Sequence, residues 1–208
     1  MKKVFLNTNM TEDKRDWEKM YHEEAVEEMP WFYPGLDPDL VGALEGLGIT
    51  AGSILDLCTG PGTQAMKLAE RGFEVTAFDI SKTAVKKAHE NAKKKGLDIE
   101  FVEKDFLAGG SRRTFDFVFD RGCFHTLSPE LRGEYLKVIS KLIRPGGYLF
   151  LKCFSHREKM EGGPYRFTPE EIRGYFSGPF DVLSIEETVY HGTLKPLPIA
   201  LFCVMRKT

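Results

Sequence analysis

The sequence predicts an α/β fold in which helices cover both faces of one doubly wound, mostly parallel β-sheet. Helix and strand patterns alternate from Ile54 onward, as in a series of βαβ units. A glycine-rich turn joins the first of these strands to the first helix. Two strand-like runs, 182–189 and 199–205, have no helix between them and predict an antiparallel C-terminal strand. A length of 208 residues favours a single domain with one sizeable core.

The element boundaries follow from apolar periodicity and from capping residues. The predicted strands cover 54–58, 73–79, 99–104, 115–120 and 148–153, and the predicted helices cover 63–71, 82–95 and 129–143. Ser128 followed by Pro129 gives a cap and a proline at the first helical position. Thr168 with Glu171 matches a capping box and predicts a further helix. Helices at these places would form the outer layers of the sheet.

The N-terminal part is predicted to differ from the rest. Residues 1–50 read as a helical lid region and residues 51–208 as the α/β core. Within the lid region, 11–28 predicts a charged helix and 39–47 a shorter one. In the core, the glycine-rich segment 155–167 predicts a mobile loop over a substrate.

Composition excludes several classes of protein. No apolar run approaches the roughly 18 residues that a membrane span needs, and the start lacks a secretory pattern, so a cytoplasmic protein is predicted. A net charge of −2, with interleaved signs, predicts no nucleic-acid partner. The four cysteines are widely scattered and indicate reduced thiols rather than a metal site. Nothing in the sequence indicates an oligomeric state.

The glycine turn alone leaves its ligand open. The stretch from Gly60 to Ala65 satisfies the relaxed dinucleotide pattern G-x-G-x-x-A. However, acidic residues stand at the ends of three predicted strands, namely Asp56, Asp79 and Asp105. A pyrophosphate would meet Asp56 with no basic residue in the turn to offset the repulsion. S-adenosylmethionine carries an ammonium, a sulfonium, ribose hydroxyls and an adenine amine, which suit carboxylate partners.

The spacing Asp56-x-x-x-Gly60-x-Gly62, followed by Asp79, resembles the nucleoside-binding signature of class I methyltransferases, whose sheet is Rossmann-like. This resemblance implies that Gly60 and Gly62 let the backbone approach the methionyl part of the cofactor. It also implies that Asp79 holds the ribose hydroxyls and that Asp105 and Phe106 flank the adenine. The implied cofactor contacts further include Trp31, Asp56, Thr63, Ile80 and Asp120.

Three further segments resemble one branch of that family, which contains thiopurine, thiol, halide and tellurite methyltransferases. They are Trp17-Glu18-Lys19-x-Tyr21 with Pro30-Trp31, Asp120-Arg121-Gly122, and Glu161-Gly162-Gly163-Pro164-Tyr165. The resemblance implies a small-molecule methyl acceptor with a soft nucleophile, such as a thiol, a thiopurine-like heterocycle, a halide or a chalcogen oxyanion. Tyr21 departs from the branch, which often has tryptophan there.

Two residues are candidates for the chemistry. Methyl transfer from a sulfonium is an in-line displacement that mainly needs alignment and exclusion of water. Arg121 would attract an anionic nucleophile or a substrate carboxylate, or it would form a salt bridge with Asp120 or another acid. His125 would accept a proton from a hydroxyl or amine acceptor, or it would line the pocket or bind a loop carbonyl. Trp31 and Phe32 would form an aromatic lid, or they would pack an N-terminal helix onto the core.

Alternative interpretations remain for the motif and for the whole protein. Gly60 and Gly62 would also suit a tight turn without a ligand, Asp79 would also suit a helix cap, and Asp105 an ordinary loop. Covalent catalysis by Cys58 or Cys123 has no clearly placed partner histidine except His125. The competing functions are methyl transfer to oxygen or nitrogen, a nicotinamide-dependent oxidoreductase, and a non-catalytic module that binds S-adenosylmethionine.

Overall fold

A single β-sheet forms the centre of the protein, for which a computed structural model describes residues 16–109 and 113–208. Its strands are β1 (Ser53–Leu57), β2 (Glu74–Asp79), β3 (Glu100–Glu103), β4 (Phe115–Arg121), β5 (Ile143–Ser155), β6 (Arg166–Phe167), β7 (Phe180–Val189) and β8 (Ile199–Lys207). They lie in the order β3-β2-β1-β4-β5-β8-β7, and the short β6 pairs with β5. Neighbouring strands from β3 to β5 are parallel, whereas β8 runs antiparallel to both β5 and β7. The predicted sheet with its antiparallel C-terminal strand is therefore confirmed.

The helices start where the capping residues predict. They are α1 (Trp17–Glu23), α2 (Pro38–Gly46), α3 (Thr63–Glu70), α4 (Lys82–Lys94), α5 (Pro129–Leu142) and α6 (Pro169–Phe176). Ser81 accepts a hydrogen bond from the Ala84 amide at the start of α4. Thr168 and Glu171 form the predicted capping box of α6. Ser128 stands before α5 without a side-chain bond to the helix amides, so Pro129 is the stronger start signal there.

The predicted charged helix over 11–28 is wrong in its second half, and 11–15 lies outside the described residues. Helix α1 ends at Glu23, Glu24 is extended, and a short 3₁₀ turn follows at Val26–Glu28. The Lys87 ammonium on α4 donates to the carbonyls of Tyr21 and Glu24, which lie at the end of α1. A tertiary contact thus satisfies the helix end, and the local charge pattern carries no sign of it.

Two apolar clusters cover the two faces of the sheet. Leu55 belongs to the cluster that contains Tyr135 of α5 and Phe176 of α6, while its neighbour Ile54 belongs to the cluster that contains Leu40 of α2. Alternate residues of a strand point to opposite faces, so β1 is buried on both sides. This burial explains the nearly continuous apolar runs that predicted the parallel strands.

The topology leaves one edge of the sheet open for a ligand. Strand order reverses between β1 and β4, and at such a switch point the carboxyl ends of the strands border a crevice. The glycine turn, Asp79 and Arg121 all lie at this edge, because they follow or end β1, β2 and β4. Within residues 16–109 and 113–208, no helix is long and apolar enough to span a bilayer.

Candidate active site

The main cleft lies over the carboxyl ends of the parallel strands and contains about 1150 Å³, including space open to solvent. A smaller space of about 470 Å³, which we call the glycine crevice, adjoins it beside the turn at Gly60. Predicted site residues line both: Asp79, Ile80, Asp105, Phe106 and His125 line the main cleft, Asp56, Gly60 and Thr63 line the glycine crevice, and Trp31 and Arg121 line both. Gly62 and Asp120 line neither.

Gly60 and Gly62 are each required to be glycine for a different structural reason. Gly60 has φ +54°, and a Cβ placed there would lie 2.6 Å from the Tyr21 hydroxyl oxygen. Gly62 has φ +79°, and a Cβ there would lie 2.9 Å from Ala88 and from the Phe101 ring. Gly60 therefore permits a close approach from the lid, whereas Gly62 permits packing of the start of α3 against its neighbours.

Asp79 fixes the backbone of the glycine turn and also lines the main cleft. Its carboxylate accepts from the Gly60 amide at 2.7 Å and from the Ser81 amide at 2.9 Å. Burial is the main reason why the pKa of Asp79 is raised. Each carboxylate oxygen can accept a further hydrogen bond, so Asp79 retains capacity toward the cleft. The cap of α4 is Ser81, so the alternative of Asp79 as helix cap does not hold.

The same contact bears on the dinucleotide alternative. A pyrophosphate on the glycine turn would need backbone N–H donors. The Gly60 N–H already donates to Asp79, and the buried carboxyl of Asp56 faces the same crevice. Two acidic groups at the turn therefore disfavour a phosphate and favour a cationic ligand.

Asp56 is the buried acid that faces the glycine crevice from the end of β1. It is 2% exposed, and the Thr59 hydroxyl donates a hydrogen bond to it at 2.5 Å. Burial raises its pKa to about 7. A cation such as the ammonium of a bound cofactor would lower this pKa again, so ionisation of Asp56 and binding of a cation would reinforce each other.

The predicted adenine contacts line the main cleft. Asp105 is exposed and accepts from the Leu107 amide at 3.0 Å, where it caps a short 3₁₀ turn. Phe106 is buried and meets Tyr135 edge to face at 5.8 Å. Ile80 is 55% exposed, which is high for a large apolar side chain and fits a surface that a flat ligand covers.

Asp120 is turned into the protein rather than toward the cleft. Its carboxylate accepts from the amides of Gly122, Cys123 and Phe124 and from the Tyr135 hydroxyl, at 2.7–3.0 Å. These four donors fill its acceptor capacity. We therefore assign Asp120 to holding the turn after β4 and omit it from the proposed cofactor contacts.

Arg121 forms the predicted alternative, a salt bridge, although its partner is Asp37 and not Asp120. Its Nε lies 2.9 Å from Asp37, and its other nitrogens donate to the carbonyls of Trp31 and His191. Asp37 also binds the Lys152 ammonium at 2.8 Å. Burial alone would raise the pKa of Asp37, but Lys152 and Arg121 outweigh it and lower that pKa. Arg121 thus joins the lid to the core while its edge faces the cleft.

His125 is 4% exposed and lines the main cleft. Its Nδ1 accepts the Phe154 amide proton at 3.2 Å, so the neutral ring carries its own proton on Nε2. Tyr190 stacks on the ring at 5.7 Å and donates its hydroxyl proton to the Arg121 carbonyl. In this tautomer His125 presents a donor, and not a base, on the Nε2 side.

The aromatic lid covers both spaces. Trp31 meets Trp17 at 5.9 Å and Tyr21 at 6.5 Å, in both cases edge to face. Helix α1 is fixed by Glu18, which accepts from the Ser81 hydroxyl at 2.6 Å and from the Thr83 amide at 3.0 Å. The lid therefore packs against the core and lines the cleft at once, so both interpretations of Trp31 describe part of its surroundings.

The segment 155–167 closes the opposite side of the cleft through Met160 and Pro164. Glu158 holds it by accepting from the amides of Met160 and Ile199, both at 2.6 Å. Its position matches the predicted loop over the substrate, and its mobility stays a prediction. In the part of the chain that the structure describes, no group of three or more His, Cys, Asp or Glu side chains is arranged to hold a metal ion.

Sequence reasoning missed Asp37, Lys152 and Tyr190. Lys152 offered a signal, because it is a single charge within the apolar run of β5 and is fully buried. Asp37 stands before Pro38 and reads locally as a helix cap. Tyr190 carries no local signal, since its contacts with Arg121 and His125 arise only from the folding of β7 beside the cleft.

Comparisons with known proteins identify the family of the chain. The model of a methyltransferase domain matches residues 54–147. The chain is 28% identical to thiocyanate methyltransferase 1 of Arabidopsis thaliana over 182 residues, 85% of this chain and 78% of that protein. It is 31% identical to 2-heptyl-1-hydroxyquinolin-4(1H)-one methyltransferase of Mycobacteroides abscessus over 174 residues, 79% of this chain and 76% of that protein.

A solved structure that concerns the conversion of a disulfide bond into a thioacetal group during echinomycin biosynthesis superposes with a TM-score of 0.80. The two sequences are 25% identical, and the superposition covers 92% of this chain and 90% of the chain in that structure. Fold, acidic strand ends and relatives thus lead to one conclusion. The chain belongs to the class I S-adenosylmethionine-dependent methyltransferases, uses S-adenosylmethionine as its cofactor, and resembles the thiopurine, thiol and halide branch of that family.

Proposed function

We propose that the enzyme transfers a methyl group by in-line displacement to a soft nucleophile of a small molecule, and that an organic thiol or a thiopurine-like heterocycle fits best. The cofactor would lie with its ribose on Asp79, its adenine between Ile80 and Phe106, and its methionyl part beside Gly60 and Asp56. The remaining part of the main cleft would then receive the acceptor. We call this part the acceptor end; it is formed by His125, Phe154, Met160, Pro164, Tyr190, Leu194 and Pro198.

The observation that carries the proposal is the absence of a placed base. Among the described residues that form the acceptor end, none is a carboxylate, and the Nδ1 lone pair of His125 is occupied by the Phe154 amide. A hydroxyl acceptor would need such a base to become a nucleophile, and a protonated amine would need one to lose its proton first. A thiol, with a free pKa of about 8.5, supplies enough anion by itself.

The lining also favours an organic acceptor over a small inorganic anion. Phe154, Met160, Leu194 and Pro198 present apolar surface, which an inorganic anion would not use. The guanidinium of Arg121 is already compensated by Asp37, which weakens its attraction for a free anion. Thiocyanate methylation by one relative keeps the halide and oxyanion classes as alternatives.

Labelled methyl transfer from S-adenosylmethionine tests the proposal. The panel pairs thiophenol with phenol and aniline, and adds thiocyanate, iodide, selenite and tellurite. We expect label on thiophenol and little on its oxygen and nitrogen counterparts. Label on phenol or aniline alone would instead support the oxygen or nitrogen alternative with His125 as base.

Substitution of His125 distinguishes a general base from a residue that only lines the pocket. His125→Ala should leave transfer to thiophenol within about tenfold, whereas a base role would cost about 10²-fold or more on a hydroxyl acceptor. His89→Ala, on the exposed side of α4, is the matched control. A loss of about 10²-fold on the thiol itself would contradict the proposed role.

A further inference from the structure

Glu158 joins the two walls of the acceptor end. One wall belongs to the segment 155–167 and includes Met160, and the other is the connection between β7 and β8, which includes Pro198. The Oε1 atom of Glu158 accepts from the Met160 amide, and its Oε2 atom accepts from the Ile199 amide, both at 2.6 Å. Hydrogen bonds to a carboxylate are stronger than those between neutral groups. We call this arrangement the Glu158 clamp.

The clamp lies where the pairing of β5 with β8 ends. The last pair of that ladder is Phe154 opposite Ala200. The next amide of β8, which is that of Ile199, donates to the Glu158 carboxylate. The Ser155 carbonyl accepts from the Glu158 amide at 3.0 Å. The Glu158 side chain therefore continues a connection between the two parts of the chain beyond the end of the backbone ladder.

Met160 is held on both sides of its backbone. Its amide donates to Glu158, and its carbonyl accepts from the Arg166 guanidinium. Gly163 has φ +83°, and a Cβ placed there would lie 3.2 Å from the Met160 methyl carbon. The Met160 side chain packs against the cluster that contains Phe154. The thioether thus has a fixed place in the wall of the acceptor end.

We propose that Glu158 is a positioning residue that fixes the width of the acceptor end and so limits the size of the thiol that is methylated. This inference rests on the proposed function and deepens it, because it favours a compact aromatic thiol over a larger one. When the walls of a pocket are fixed before binding, the acceptor does not have to order them. The clamp should therefore act mainly on KM and on the choice between acceptors.

The first test compares thiophenol with the larger naphthalenethiol as acceptors of a labelled methyl group from S-adenosylmethionine. Glu158→Ala releases both amides, so the KM for thiophenol should rise about tenfold while kcat changes less. The ratio of kcat/KM for naphthalenethiol to that for thiophenol should also rise about tenfold, because the wall at Met160 can recede. A residue that only stabilises the fold would lower both values alike and leave this ratio unchanged.

Two further variants make the comparison specific. Glu158→Gln is nearly isosteric, but its amide nitrogen is a donor and would face one of the two N–H groups. It should shift the ratio in the same direction without removing side-chain volume. Arg157→Ala is the matched control, since Arg157 joins the same segment to Glu187 of β7 by an exposed ion pair at 3.1 Å. Its ratio should stay within about twofold of the wild-type ratio.

Hydrogen exchange measures the clamp without any acceptor. In Glu158→Ala, exchange should rise together in residues 159–165 and 191–199, because both walls lose the same partner. Strand β1 should keep its wild-type protection, which shows that the variant is folded. Calorimetry should find S-adenosylhomocysteine binding within about twofold of the wild type, because the clamp lies at the acceptor end.

The possible failures are distinguishable. Wild-type exchange in both segments of Glu158→Ala would overturn the clamp. Labelled thiols with an unchanged ratio would overturn the role of Glu158 in selectivity and leave the proposed function intact. A wild-type enzyme that labels neither thiol would overturn the proposed acceptor class, and the selectivity with it, whatever the exchange shows.

Discussion

The acidic residues of the cleft are predictable from the sequence because parallel strands bring their carboxyl ends to one edge. Asp56, Asp79 and Asp105 were expected there, and all three line the two adjoining spaces. What each carboxylate binds within the protein was not predictable. Asp120 has the same apparent position at a strand end, but its oxygens turn inward to three amides and a phenol.

Asp79→Asn should weaken S-adenosylhomocysteine binding by about 10- to 100-fold, because the proposed ribose contact would lose its charged acceptor. Calorimetry measures the change, and Asp98→Asn, on an exposed loop, is the control. An affinity within about twofold of the wild type would place the ribose elsewhere.

Asp56 should make the stability of the cofactor-free protein depend on pH. Its pKa is about 7 in the folded state and near 3.8 when unfolded, so the folded state holds the proton more tightly. Below about pH 4 the carboxyl is protonated in both states and does not reduce stability. As pH rises from about 4 to 7, the unfolded state loses this proton more readily, so the free energy of unfolding falls.

Urea unfolding at several pH values measures this, with Asp56→Asn as the comparison. The difference between wild type and variant should change across that window and stay constant above about pH 8. A difference that does not vary with pH would show that Asp56 is not perturbed by burial.

At the scale of elements, the alternation of strands and helices followed from the sequence, and the largest boundary error in the core is at β5, which begins at Ile143 instead of the predicted 148. The failure over 11–28 has a physical cause. The end of α1 is set by Lys87 of α4, a contact between residues that the local pattern cannot relate. Likewise, β6 has two residues and exists only because β5 lies beside it.

Because Glu18 attaches α1 to the start of α4, we predict that it limits the opening of the aromatic lid. Hydrogen bonds from Ser81 and Thr83 lower the pKa of Glu18 to about 2, so the contact should persist across the neutral range. Glu18→Ala should raise hydrogen exchange in residues 17–23 and speed the release of S-adenosylhomocysteine.

Glu23→Ala is the matched control, since Glu23 lies on the same helix and is exposed, with its ammonium partner Lys19 at 4.0 Å. Equal exchange in both variants would mean that aromatic packing alone holds the lid.

At the scale of the whole molecule, one buried charge group connects distant parts of the chain. Lys152 on β5 binds Asp37 at 2.8 Å and Asp39 at 2.6 Å, and Asp37 in turn binds Arg121. The partners Asp37 and Lys152 are 115 positions apart, so no local pattern could pair them.

Lys152→Met should lower the free energy of unfolding by about 3 to 5 kcal/mol, because the buried Asp37 then faces Arg121 alone and the half-buried Asp39 loses its ammonium partner. Adding Asp37→Asn should restore part of the loss. Lys141→Met, exposed on α5, should change stability by about 0.5 kcal/mol or less. Urea unfolding measures these differences in the free energy of unfolding. A loss for Lys152→Met as small as that for Lys141→Met would show that the charges are well hydrated. The predicted cytoplasmic location is independent of all these measurements and stays a prediction.

The place of β8 between β5 and β7 has a consequence for biosynthesis. β7 leaves the ribosome before β8. It cannot pair with the sheet until β8 has paired with β5, because β8 is the strand that lies between them. The strands that carry Asp56 and Asp79 can assemble earlier, while Tyr190, Leu194 and Pro198 come to the cleft with the last hairpin. A nascent chain would thus form the proposed cofactor contacts before the proposed acceptor end of the cleft.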